Sequence, residues 1–177
     1  MLVAFLMGFS CGLPLMLTGQ VLQAWMKDAG VELTVIGLYA LVGLPYTCKF
    51  LWAPVFDRFI PSFLGRRRGW LLSVQIALAL ALVGLGQSDP VAMPWLVALM
   101  AALVTFFSAS QDIVVDAYRR EDLSDAELGS GSALYISGYR LGMLLAGGGG
   151  LILADFKPFS RVYLIMAFLM GIGAATT

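Results

Sequence analysis

The sequence predicts an all-α membrane protein with six transmembrane helices, and three observations predict it. Hydrophobic residues make up 60% of the 177 residues and charged residues only 12%, whereas a soluble domain of this size needs far more charge to cover its surface. The mean hydropathy is +0.88. The apolar residues fall into six runs, each close to the ~20 residues that a helix needs to cross the hydrocarbon core. Lipid is therefore the expected solvent for most of this chain.

Polar breaks divide the chain into six predicted spans within one transmembrane bundle, residues 1–177. The approximate bounds are 3–26, 34–56, 69–86, 94–117, 131–154 and 162–177. The first run resembles a secretion signal only superficially, because it lacks a basic start and continues into further apolar sequence.

The arginines and lysines between the spans predict the orientation. One set of loops holds Arg58, Arg66, Arg67, Arg68, Arg119 and Arg120, and the opposite set holds only Lys27, Lys157 and Arg161. Basic loops stay in the cytoplasm, so both termini of this segment are expected there. Six helices with both ends on one side match one half of a twelve-helix carrier, and the other half is expected to be missing from this chain.

Composition also narrows the chemistry. The formal net charge is zero, which gives no indication of nucleic-acid binding. Cys11 and Cys48 lie in apolar stretches with no metal-site or redox spacing, and the chain has no His, the commonest metal ligand and pH switch. We expect no cofactor and no metal, and any proton chemistry must use carboxylates.

Three ionisable residues lie at a similar depth inside predicted spans. At 1.5 Å per residue, Lys49, Asp112 and Arg140 lie about 12, 10 and 13 Å from the cytoplasmic ends of spans two, four and five. A charge there costs about 3 kcal/mol on insertion scales and usually faces a cavity or a partner. Asp112 is therefore expected near Lys49 or Arg140. Two interpretations stay open: a structural ion pair, or a carboxylate that exchanges a proton while its cation binds an anionic substrate.

Span four carries a polar stripe. Its members share one helical face: Thr105, Ser108, Gln111, Asp112, Val115 and Asp116. Because such a stripe must face water or protein and not lipid, we expect Thr105, Ser108 and Asp112 to line a concavity. Asp116, close to Arg119 and Arg120, is expected in a helix-end salt bridge or a latch.

Small residues follow one face of span five. Gly138, Gly142 and Ala146 recur every fourth residue and precede the run Gly147 to Gly150. Such steps let helices approach closely, and glycines lower helix propensity. The pattern predicts a packing seam or, alternatively, a hinge near Gly147.

The loop between spans two and three resembles that of the major facilitator superfamily. Asp57-Arg58 followed by Gly65-Arg66-Arg67-Arg68 is similar to the family motif Asp-Arg-x-Gly-Arg-Arg/Lys, with Ile60 to Leu64 inserted. The resemblance implies the N-terminal half of a twelve-helix fold. It also implies a conformational latch in which Asp57, Arg66 or Arg67, and Asp116 take part.

Six blocks spread over the chain resemble the AmpG muropeptide permeases. They are Gly12 to Leu15, Leu22 to Trp25, Lys49 to Pro54, Gly65 to Trp70, Ser108 to Ala117 and Gly138 to Met143. The resemblance implies a proton-coupled carrier in the bacterial inner membrane that imports anhydro-muropeptides for peptidoglycan recycling. The acetyl-CoA transporters are distant relatives, so an acetyl-CoA-type or other anionic-solute facilitator is the alternative.

Residue roles follow from the resemblance and the chemistry together. Asp112 is the expected proton-coupling residue, and the expected partners of the protein are a proton, a small anionic glycopeptide and the bilayer. Tyr46, Gln111 and Tyr139 are expected to hydrogen-bond sugar hydroxyls, and Lys49 or Arg140 to attract carboxylates. A membrane prenyltransferase that holds Mg²⁺ on Asp112 and Asp116 is the alternative from another class.

Overall fold

The described part of the chain contains six helices that are long and apolar enough to cross a membrane. The computed structural model describes residues 1–59 and 65–176, without the side chain of Arg66. In those ranges no strand occurs, and the first to sixth spans are Leu2–Asp28, Leu33–Leu51, Arg67–Gln87, Pro94–Asp122, Leu128–Phe156 and Phe159–Thr176. The fold class predicted from the sequence is confirmed.

The first and fifth spans each contain one π-helical turn. These π segments are Leu17–Val21 and Leu145–Gly149, and they contact each other. The first follows Pro14, which has no amide hydrogen to donate, and the Thr18 hydroxyl donates to the Pro14 carbonyl at 3.0 Å. The second contains three glycines of the Gly147 to Gly150 run, where helix propensity is low.

The second span is irregular, whereas one continuous helix was predicted. Its α-helical parts Leu33–Leu38 and Leu44–Cys48 alternate with 3₁₀ turns at Tyr39–Gly43 and Lys49–Leu51, and a short helix, Ala53–Arg58, follows. Pro45 and Pro54 stand in the first turns of their helices, where a missing amide hydrogen costs least. These prolines explain where the regular helix restarts.

Glycines on both partners bring the first and fifth spans into backbone contact. A Cβ on Gly12 would lie 2.9 Å from the Tyr139 carbonyl carbon, and a Cβ on Gly138 would lie 3.0 Å from the Phe9 nitrogen. Gly8 and Gly142 meet the opposite backbone in the same way. The packing seam predicted on the fifth span is thus confirmed, and the first span supplies its own matching pair of glycines.

A buried polar layer separates two apolar clusters. The larger cluster includes Leu17, Met26, Leu82 and Tyr163. The smaller cluster lies toward the opposite end of the bundle. This end carries Arg67 and Arg119 and is called the arginine end below. The smaller cluster consists of Met7, Cys11, Phe56, Leu71, Val74, Val114, Val115 and Tyr135. Between them lie the buried polar side chains Ser10, Gln75, Thr105, Ser108, Ser110, Gln111 and Asp112. This layer contains most of the predicted polar stripe.

Candidate functional site

Hydrogen bonds tie the stripe on the fourth span to the second span. The Thr105 hydroxyl donates to the Val42 carbonyl at 2.8 Å, and the Tyr46 hydroxyl donates to Ser108 Oγ at the same distance. Trp52 Nε1 donates to Ser110 Oγ at 3.1 Å. Thr105 and Ser108 are each only 1% exposed, so the predicted open concavity along this face is wrong for these two residues. The stripe faces protein, because the second span covers it.

Asp112 is buried beside Gln111 and Cys11. Its side chain is 8% exposed, and Gln111 and Cys11 are 0% and 1% exposed. Gln111 Nε2 donates to Cys11 Sγ at 3.3 Å, and the Cys11 thiol also interacts with the Asp112 carboxyl. Asp112 Oδ1 and Gln111 Oε1 have no hydrogen-bond partner. Two buried acceptors on neighbouring residues therefore lack donors, and a buried polar group without a partner costs free energy.

Lys49 is the cation whose charge acts on Asp112. It is half-buried in the 3₁₀ turn that ends the second span. Among the described residues, Asp112 and Lys49 form no direct ion pair. Tyr46 and Tyr139 also lie within electrostatic reach of Asp112. The structure thus brings four predicted site residues, Lys49, Tyr46, Gln111 and Tyr139, around the Asp112 carboxyl group.

Arg140 lies elsewhere, on an open concavity between the first and fifth spans. This concavity, of about 310 Å³, is lined by Met16, Gln20, Arg140, Met143, Leu144, Gly147 and Gly148. Arg140 and Gln20 are both exposed. Of the two cations predicted near Asp112, the structure therefore places Lys49 there and not Arg140.

The latch residues meet at the arginine end. Arg67 Nη1 bonds Asp57 Oδ1 at 2.9 Å, and Arg67 Nη2 bonds Glu121 Oε1 at 2.6 Å. Glu121, not Asp116, is thus the acidic residue of the fourth span that Arg67 joins to Asp57. The difference arises because the helix continues past 117, the predicted end of span four, to Asp122. The side chain of Arg66 lies outside the described part of the chain.

Asp116 instead bonds a neighbour on its own helix. Its Oδ1 accepts from Arg119 Nη2 at 3.0 Å, as expected for a helix-end salt bridge. The Arg119 guanidinium also lies over the Tyr135 ring, 4.4 Å from its centroid. Such a cation–π contact contributes about 0.5–1 kcal/mol at exposed sites. Arg119 therefore joins the fourth and fifth spans at the arginine end.

Three participants were not predicted from the sequence: Cys11, Gln20 and Glu121. The sequence around Cys11 indicates only a small packing residue, because a lone cysteine in an apolar helix has no spacing that marks a metal or redox site. Gln20 lies in the second half of its span, and no sequence motif marks it as a site residue. Glu121 belongs to the polar segment after residue 117, which predicts a loop. The helix propensity of Arg119, Arg120 and Glu121 is nevertheless high enough to extend span four.

A sequence model of the acetyl-coenzyme A transporter 1 family matches residues 1–91. The chain belongs to this family. It is 47% identical over 177 residues to an uncharacterized protein of Haemophilus influenzae, covering 100% of this chain and 42% of the relative. It is 46% identical over 170 residues to the anhydromuropeptide permease of Escherichia coli, covering 95% of this chain and 34% of the relative.

A third relative is the putative transporter AmpG 1 of Rickettsia bellii, 35% identical over 174 residues, which covers 96% of this chain and 42% of the relative. The resemblance to AmpG-type permeases that the sequence blocks indicated is confirmed. The chain spans 34–42% of the length of these three relatives. The family and the six spans make it a multi-pass membrane protein of a transporter family.

Proposed function

We propose that this chain is the first six-helix half of a proton-coupled importer of anhydro-muropeptides. The observation that carries the proposal is the 46% identity to the anhydromuropeptide permease of Escherichia coli. The protein then lies in a bacterial inner membrane with both termini of this segment in the cytoplasm, an orientation supported by the basic residues at the arginine end. It transports its substrate without chemical change, and a second half completes the site.

The coupling role is assigned to Asp112. A carboxylate ion in this layer has one oxygen without a donor, and Lys49 is the cation among the described residues whose charge acts on it. A protonated carboxyl group carries no buried charge. Gain and loss of the proton therefore change the interaction of the fourth span with Cys11 and Lys49 on the first and second spans. This dependence is what a coupling residue requires.

The substrate-binding roles divide by accessibility. Tyr46 is bonded to Ser108, so it is open to substrate only after the second and fourth spans separate. Gln111 is fully buried and bonded to Cys11, so it is open to substrate only after the fourth span separates from the first. Lys49, Tyr139 and Arg140 are half-buried or exposed and are the residues assigned to the first encounter. Arg67, Asp57 and Glu121 form the latch, to which Arg66 is assigned by its position in the motif.

An acetyl-CoA-type or other anionic-solute facilitator is the second candidate, and the family match over residues 1–91 favours it. Both substrates are anionic, so the basic residues alone do not distinguish them. Uptake of each labelled compound does: the complete protein is expected to take up labelled anhydro-muropeptide and not labelled acetyl-CoA. Uptake of labelled acetyl-CoA without uptake of labelled anhydro-muropeptide would establish the second candidate.

The prenyltransferase alternative lacks support in the geometry. It requires Asp112 and Asp116 to hold one Mg²⁺ together. Asp112 is buried toward Cys11, whereas the Asp116 side chain is 50% exposed and bonded to Arg119. In the described ranges no group of three or more potential metal ligands occurs.

The test of the coupling role is Asp112→Asn in the complete protein, assayed in membrane vesicles. The variant is expected to lose accumulation of labelled anhydro-muropeptide under an imposed proton gradient, because the amide cannot exchange the proton. It is expected to retain downhill exchange. Asp125→Asn, the same change at an exposed carboxylate outside the spans, is the control and should behave as wild type. Accumulation by Asp112→Asn at the wild-type level would show that the coupling proton binds elsewhere.

A further inference from the structure

Two exposed polar side chains, one from each span, line the concavity between the first and fifth spans. Arg140 and Gln20 both line it and are both exposed, although each lies well inside its span. A guanidinium in contact with lipid tails costs several kcal/mol. This concavity therefore opens to water or to another part of the protein, and not to the hydrocarbon.

The local backbone makes room for the concavity. The two π segments, Leu17–Val21 and Leu145–Gly149, contact each other beside it. Gln20 Oε1 lies 3.5 Å from where a Cβ on Gly147 would stand, so this side chain is turned toward the fifth span. A Cβ on Gly148 would meet no atom nearer than 4.0 Å. Short π turns occur frequently at functional sites. Here Gly147 and Gly148 in the second π segment have no side chains to fill the concavity.

The two side chains offer complementary chemistry. An arginine presents a planar set of donors that binds a carboxylate through two parallel hydrogen bonds. A glutamine carries both a donor and an acceptor, which suits an amide or a hydroxyl group. We propose that this concavity is a substrate subsite in which Arg140 binds a carboxylate and Gln20 hydrogen-bonds a neighbouring amide or hydroxyl of the same molecule. The assignment rests on the proposed transport function and specifies which substrate group this half recognises.

The experiment compares two probes in the complete protein: an anhydro-muropeptide with free peptide carboxylates, and the same compound with those carboxylates amidated. Wild-type protein is expected to bind the free acid about tenfold or more tightly than the amidated probe, the scale of one charge-assisted hydrogen-bond pair. Arg140→Gln is expected to remove this preference by weakening the free acid alone. Gln20→Leu is expected to weaken both probes by a similar factor.

Four further variants keep the test decisive. Arg140→Lys should retain part of the preference for the free acid. Arg161→Gln removes an exposed arginine outside the concavity and should leave the preference intact. Gly148→Leu fills the concavity from an open position and should weaken both probes, whereas Gly171→Leu, at a glycine with no atom within 4 Å of its Cβ position, should not.

The possible results separate the subsite from the proposed function. If Arg140→Gln weakens both probes equally, Arg140 pairs with an acidic residue of the protein and the subsite is refuted. If Gly148→Leu binds both probes like wild type, the concavity is not occupied by substrate. If wild-type protein transports neither probe, the proposed function itself fails, whatever the variants do.

Discussion

The glycine seam between the first and fifth spans predicts that one added methyl group at Gly12 destabilises the bundle. A Cβ there would overlap the Tyr139 carbonyl oxygen, and it would lie 2.9 Å from the Tyr139 carbonyl carbon and 3.1 Å from the Met143 nitrogen. Ordinary Cβ contacts begin near 3.4 Å, so the opposing backbone must retreat by more than 0.5 Å (3.4 − 2.9). Both neighbours are backbone atoms of a helix, which cannot move alone. Overpacking of this kind costs about 1–3 kcal/mol.

Gly19 is the matched control on the same span, because a Cβ there meets no atom within 4 Å. Replacing a helical glycine with alanine contributes up to about 1 kcal/mol of stability at either position. Gly19→Ala is therefore expected to be neutral or more stable than wild type. Gly12→Ala is expected to be about 1–3 kcal/mol less stable than Gly19→Ala, since the propensity gain cancels in the comparison.

Maleimide labelling of Cys11 measures this difference. Cys11 is 1% exposed and bonded to Gln111 of the fourth span, so its thiol reacts only when the bundle around the first span opens. In a Cys48→Ser background, thermal unfolding of the complete protein in detergent is followed by labelling. We expect Gly12→Ala to label at a lower temperature than wild type and than Gly19→Ala. Identical labelling curves for the two variants would refute the argument that the seam has no room for a Cβ.

Three further predictions concern the latch, the orientation and the polar layer. In double-mutant cycles with Arg67→Gln, Glu121→Gln should show a coupling energy of about 1 kcal/mol, whereas Asp116→Asn should show almost none. In intact cells, a cysteine at position 89 should react with an impermeant maleimide, whereas one at position 67 should not; the opposite pattern would reverse the orientation. Ser108→Ala should cost about 1 kcal/mol in thermal unfolding, because Tyr46 loses its acceptor.

The sequence predicted the fold class because lipid imposes a strong constraint: every span needs a long apolar run, and such runs are visible without any knowledge of tertiary contacts. The breaks inside the second span were less visible. Pro45 and Pro54 are tolerated at the starts of helices, and nothing in the apolar pattern distinguishes a restart from a continuous helix.

The candidate site was predicted in part for a related reason. Helical periodicity identified the face of the fourth span that carries Ser108 and Asp112, but periodicity does not identify the helix that covers this face. The second span covers it, which is why the expected concavity is filled. Depth alone also could not separate Lys49 from Arg140, because residues at one level on different helices can point in different directions.

The paired π turns also bear on how the length of this protein can vary. A π turn holds one residue more than the α-helix around it requires. A single-residue deletion within Leu17–Val21 or Leu145–Gly149 would convert the turn to α-helix and leave the flanking faces in register. The same deletion in the α-helical part of the first span, between Leu2 and Met16, would rotate one part of the helix against the other by about 100° and misalign Gly8 and Gly12. These two segments are therefore the places where deletions inside a span are expected to be tolerated among relatives.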